Sequence, residues 1–156
     1  MHEELEVEYV IPDDEWLTVA SGGPGLEGEA AFNYLKGTVE LQLAGRSPWP
    51  APFYVSVADL ALQFLNAAES GFPASERKAF VSETDGGLDL QLERIGEHVK
   101  MRVPPYSAVE VSIRGYIEGV ERFLRRFAIE IKARAPNVLL VDELAALAPW
   151  AASGVP

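Results

Sequence analysis

With no cysteine and only two histidines, His2 and His98, the chain holds few of the groups that usually carry out nucleophilic, metal or proton-transfer chemistry. Thiol catalysis, disulfides and cysteine-based zinc or iron–sulfur sites are excluded outright. A histidine triad would rest on one imidazole, and a zinc site with two or three histidines is close to impossible. Carboxylates are left as the candidate chemistry, and no cofactor is expected. Closely spaced acids can hold a hard cation or act as an acid–base pair.

Two groups of acids deserve that test. Asp13-Asp14-Glu15 supplies three carboxylates in a row, but Trp16, Leu17 and Val19 stand where a calcium loop needs further acids and a glycine, so the run reads as a solvated turn. Glu83, Asp85, Asp89 and Glu93 surround a predicted hairpin and match the residue types of a two-carboxylate hydrolase. Polar positions on the outer face of a meander are commonly charged in any case. His98 is the interior candidate for proton transfer. The run Gly23-Pro24-Gly25-Leu26-Glu27-Gly28 has the letters of a dinucleotide loop. However, its proline removes a backbone donor and Glu27 and Glu29 add negative charge where a pyrophosphate would sit, so it reads as a plain turn.

Charge is the more informative signal. Thirteen basic and 24 acidic residues give a net charge of −11, which disfavours nucleic acid and anionic lipid as partners. Residues 1–35 hold Glu3, Glu4, Glu6, Glu8, Asp13, Asp14, Glu15, Glu27 and Glu29 with no lysine or arginine, while the remainder is nearly balanced. The one basic concentration is Arg122, Arg125 and Arg126, with Arg114, Lys132 and Arg134 nearby. It reads as a solvated, ion-paired helix face that can also dock the acidic N-terminal segment.

The positioning elements follow from periodicity. Leu5, Val7 and Tyr9 alternate with glutamates as in a strand, Trp16 to Ala20 reads as a second short strand, and Val39, Leu41 and Leu43 mark a third. The prolines around Trp49, Phe53 and Tyr54 predict an extended connection, with these aromatics either folded over a helix end or exposed as a recognition patch. Ser56-Val57-Ala58-Asp59 has the layout of a capping box and opens a helix over about 57–69, which Gly71 and Pro73 end. A four-run meander covers about 77–114, with Gly96-Glu97 as a two-residue turn. A long amphipathic helix then runs over about 116–134 on the stripe Ile117, Val120, Leu124, Phe127 and Ile131. Val138 to Val141 reads as a short strand, and Asp142 as the cap of a last helix reaching about Ala148.

These readings predict one α+β domain over residues 1–156, with a largely antiparallel sheet, both main helices on one face and a frayed tail at 151–156. Mean hydropathy is +0.03 and no apolar run is long enough to span a bilayer; the first six residues lack a secretory pattern. The expectation is a cytoplasmic protein. The leading functional expectation is a non-enzymatic interaction or inhibitor domain that meets a basic protein through Glu3, Glu4, Glu6, Glu8, Asp13, Asp14, Glu15 and Trp49, with 27–29 alongside. In size, charge and lack of catalytic residues it resembles the small acidic bacterial immunity proteins that neutralise basic toxins, a resemblance of class with no motif behind it. The alternatives are a small-molecule-binding domain or small hydrolase, with a pocket between sheet and helices lined by Trp, Tyr and Phe and His98 beside an acid, and a homodimer joined at a sheet edge.

Overall fold

The alternation at Leu5, Val7 and Tyr9 forms strand β1 (Leu5–Val10) in the computed structural model, which describes residues 4–21, 33–140 and 143–152. After it come helix α1 (Asp13–Ser21), strands β2 (Lys36–Leu43) and β3 (Phe53–Ser56), and helix α2 (Val57–Glu69). Strands β4 (Lys78–Ser82), β5 (Asp89–Ile95), β6 (His98–Arg102) and β7 (Val109–Ser112) form the meander and lead straight into helix α3 (Ile113–Arg134). Two 3₁₀ segments, Pro136–Leu140 and Leu144–Leu147, precede helix α4 (Ala148–Ala152). The architecture is α+β and every strand pairing is antiparallel. The strands divide into a three-stranded sheet, β1-β2-β3, and a four-stranded sheet, β4-β5-β6-β7, a division that periodicity does not specify.

In each sheet the alternating apolar residues fall on one side. Val7 faces Leu41 and Tyr9 faces Val39, while Val81 pairs with Leu90, Leu92 with Met101, and Val99 with Val111. These side chains share one core with the buried faces of α2 and α3. Its centre is aromatic: Phe123 and Phe127 stack at 6.0 Å, and Tyr9 meets both edge-on at 5.8 and 5.4 Å. Phe64 of α2 packs edge-on to Phe123 at 5.9 Å, which joins the two main helices. Ile117, expected in the α3 stripe, is 37% exposed. Tyr116 takes the buried position beside it, so the face is rotated slightly from the predicted stripe.

Local chemistry explains the ends of the helices. Ser112 caps α3 by accepting from the Gly115 N–H at 2.9 Å. At the end of α2, Gly71 donates to the Ala68 carbonyl and Phe72 to that of Ala67, both at 3.1 Å, with Gly71 at φ +106°. That paired arrangement needs a left-handed residue, which glycine adopts without a steric cost, and it folds Phe72 back toward α3. Gly96, at φ +58°, makes the tight turn that sets Ile95 opposite His98.

Three segments differ from expectation. Residues 16–20 are helical because the three acids before them occupy the first turn of α1, where negative charge is favourable, and because Trp16 and Val19 are buried one turn apart. The Asp13-Asp14-Glu15 run is thus a helix start rather than a loop turn. Val138 lies in a 3₁₀ segment rather than a strand and is fully buried; Val141 lies outside the described residues. The last helix runs over Ala148–Ala152, beginning where the predicted one ends, and Ala151 is buried; Asp142 and residues 153–156 lie outside the described residues. Among the described residues no helix is long and apolar enough to cross a membrane.

Candidate functional site

Helix α3 lies along the free side of β1, and a glycine makes this possible. The Cα of Gly119 sits against the Leu5 carbonyl, where any side chain would collide. The approach brings the basic helix face onto the acidic N-terminal segment. Arg122 pairs with Glu4 at 2.9 Å, Arg126 with Glu8 at 3.2 Å and Arg134 with Asp13 at 2.8 Å. Arg126 also lies over the Tyr9 ring at 4.8 Å, and Arg134 over that of Trp16 at 5.0 Å. The Tyr9 hydroxyl donates to Glu130 at 2.7 Å. Burial, reinforced by that carboxylate, pushes the Tyr9 phenol far above its ordinary range. The Arg122–Glu4 and Arg126–Glu8 pairs are partly exposed and each adds at most about 1 kcal/mol, while the Arg134–Asp13 pair is open to solvent. Their main effect is to neutralise Glu4, Glu8 and Asp13 within the molecule.

The other predicted contact residues have separate fates. Glu15 accepts from the Lys36 N–H at 2.8 Å and ties α1 to β2, whereas the exposed Asp14 carboxylate accepts from the neighbouring Glu15 N–H at 3.1 Å. The three carboxylates therefore diverge, and among the described residues no three acid or imidazole groups gather as metal ligands would. Trp49 is 3% exposed and its indole N–H donates to the Ser107 carbonyl at 3.0 Å, so it follows the buried reading of the proline-rich connection. Glu3, Glu27, Glu29 and the glycine-rich run at 23–28 lie outside the described residues.

What stays open is the outer face of the three-stranded sheet. Reading across the strands, Glu6 stands opposite Gln42, Glu8 opposite Glu40, and Val10 opposite Thr38, which in turn faces Tyr54. Glu6 and Glu40 form no salt bridge among the described residues, and Val10 and Tyr54 are 67% and 64% exposed. Arg122 acts on Glu6 through space, so Glu40 is the carboxylate of this face without a basic partner among the described residues, beside bare apolar groups. Glu8 against Glu40 is a like-charge pair across two strands, an arrangement that costs stability, and Arg126 relieves only Glu8. Glu40→Gln is expected to stabilise the fold by about 0.5 kcal/mol, read as a higher urea midpoint with an unchanged slope. Sequence reasoning passed over Glu40 as a contact residue, although the alternation of β2 signalled it, and took Tyr54 only as part of the aromatic connection whose exposed alternative was a recognition patch.

The acids proposed for hydrolysis are dispersed among separate contacts. Asp85 lies 3.8 Å from Lys36, Asp89 accepts from the Ser82 hydroxyl at 2.6 Å, and Glu93 lies 4.0 Å from Lys78. His98 is exposed at the start of β6. Glu83 alone is buried, at 4% exposure, and its carboxylate accepts from the Ser56 N–H at 2.8 Å and the Gly87 N–H at 3.3 Å. Asp59, also buried, accepts from the Thr84 N–H at 2.6 Å, and its own N–H donates to the Ser56 hydroxyl at 3.1 Å. The return bond of a capping box, from the fourth residue's side chain to the cap N–H, is here made by Glu83 from the other sheet. Ser56, Asp59 and Glu83 thereby join the β3–α2 junction to the β4–β5 hairpin.

Comparison with protein-family models, with curated proteins and with solved structures finds no match.

Proposed function

We propose that the protein is a non-enzymatic binding or inhibitor domain that presents the outer face of its three-stranded sheet to a basic protein. The observation that carries this reading is Glu40, which forms no salt bridge among the described residues and opposes Glu8 at a cost to folding, with Glu6 and the exposed Val10 and Tyr54 on the same face. Arginines of α3 pair instead with Glu4, Glu8 and Asp13. A charge excess of −11 steers a cationic partner toward the molecule, and the apolar pair supplies contact area that excludes water. In this respect the face suits the role of the small acidic inhibitors of basic toxins.

The test is crosslinking at the face itself. With a photoreactive aromatic residue in place of Tyr54, capture from native lysate at low salt is expected to yield a discrete basic partner. Moderate salt, or the double change Glu6→Gln and Glu40→Gln, should abolish the crosslink while the urea midpoint stays equal or rises. Retention of the same partner by the charge variant would overturn the proposal, as would crosslinking that is insensitive to salt.

A further inference from the structure

Sheets end in strands whose outward backbone groups seek partners. On the three-stranded sheet α3 lies along β1, and on β3 the Ser56 N–H is taken by Glu83 while Gly87 sits against the Tyr54 carbonyl. On the four-stranded sheet, β7 carries exposed Glu110 within its four residues, a charge that opposes pairing with a like strand. Strand β4 has no such guard. Bonds from the Arg94 N–H to the Arg77 carbonyl at 2.7 Å and from the Glu83 N–H to the Leu88 carbonyl at 2.8 Å fix which positions face β5. The alternation between them turns the N–H and C=O groups of Lys78, Phe80 and Ser82 outward, where they have no partner among the described residues. Phe80, at the centre of this edge, is 65% exposed, while Ala79 and Val81 face the core.

The two ends of the edge carry opposite charge. At its start stand Arg77, which makes no salt bridge among the described residues, and Lys78, whose 71% exposed side chain reaches Glu93 only at 4.0 Å. At its end Ser82 donates to Asp89, the acid across from it, at 2.6 Å. A strand that complements this edge has an acid at one end, an apolar centre and a base at the other, which describes β4 itself laid antiparallel. We infer that β4 pairs antiparallel with β4 of a second copy about a twofold axis at Phe80, joining the two four-stranded sheets into one. Phe80 then faces Phe80, and Lys78 faces Ser82 of the other copy beside its Asp89. Each of these opposed pairs exchanges both of its N–H···O=C bonds, and the two rings make a cross-strand aromatic contact. Of the alternatives raised by the sequence this is the sheet-edge homodimer, assigned to one edge and one register. A strand of five residues buries less than a standard interface, so a reversible dimer with a dissociation constant of about 10–100 μM is expected. The outer face of the three-stranded sheet takes no part in it.

The absence of cysteine makes the register directly testable. Opposed Cα atoms in such a pair stand about 5.5 Å apart, within the range of a disulfide. Under mild oxidation Phe80→Cys is expected to crosslink to a copy of itself, and a mixture of Lys78→Cys with Ser82→Cys to give the mixed dimer, whereas Ser82→Cys alone should remain monomeric. The unaltered chain should show a monomer–dimer equilibrium by analytical ultracentrifugation between about 10 and 500 μM. Phe80→Lys sets like charges face to face at an exposed position and should weaken the dimer at least about tenfold, with the urea midpoint unchanged. Lys78→Glu should weaken it by about tenfold, and adding Asp89→Lys should restore it. The inference fails if the chain stays monomeric throughout that range, or if Ser82→Cys alone crosslinks as readily as Phe80→Cys. Loss of the dimer on changing Glu6 and Glu40 to Gln would also overturn it, since the copies would then meet through the acidic face.

Discussion

Gly119→Val is expected to remove about 4 kcal/mol of stability, and Gly119→Ala about 2 kcal/mol, read as lower urea midpoints. On an exposed helix face the alanine change would stabilise by about 1 kcal/mol through helix propensity. Here the new Cβ would overlap the Leu5 carbonyl oxygen and press on the Leu5 carbonyl and β carbons. A long side chain can rotate away from such a clash, whereas a strand carbonyl cannot. The helix or β1 must therefore shift as a body, and the close-packed Tyr9, Phe123 and Phe127 contacts shift with it. Valine adds two further methyl groups to the same gap. Against a typical total of roughly 5–15 kcal/mol, the valine variant should be close to unfolding. An alanine variant as stable as the parent would show that α3 does not approach the strand this closely.

The second large effect is expected at Glu83. Glu83→Ala removes the acceptor for the Ser56 and Gly87 N–H groups, and Ser56 is fully buried. An orphaned buried donor costs about 1–3 kcal/mol, and a bond to a charged acceptor contributes about 1.5–3 kcal/mol, so a loss near 3 kcal/mol is expected. Glu83→Gln should lose less, about 2 kcal/mol, because one oxygen remains but its NH₂ must face one of the two donors. Hydrogen exchange at Ser56 and Gly87 checks the cause, since those amides should lose protection before the core of α3 does. By contrast, Glu4→Gln breaks only a partly exposed pair with Arg122 and should cost under about 1 kcal/mol. Glu83 is thus placed as a joint between the sheets.

Much of the fold was legible because its signals are local. The alternation in β1 and β2, the apolar spacing of α2 and α3, the glycine turns at 71 and 96 and the cap at Ser56 each depend on residues within a few positions. Failures came where local signals conflicted. Trp16 to Ala20 contains residues favoured in strands, yet the preceding acids and the i, i+3 burial of Trp16 and Val19 made it helix α1. Val138 carried β propensity but lies in the 3₁₀ segment that follows α3.

The sequence by itself determined the α+β class, the antiparallel meander, the two amphipathic helices and the division between an acidic N-terminal segment and a balanced remainder. It also raised the prospect that the basic helix face compensates those acids. Only the tertiary structure decided which carboxylates are compensated, because Glu4 meets Arg122 across 118 residues of chain and Asp13 meets Arg134 across 121. It likewise decided that Glu83 replaces the return bond of the α2 cap, that Trp49 is core, and that Glu6, Glu40 and Tyr54 share an open face. A side chain's neighbours along the chain set its backbone conformation, but its solvent and its charge partners come from strands and helices brought together by packing. No periodicity records that arrangement.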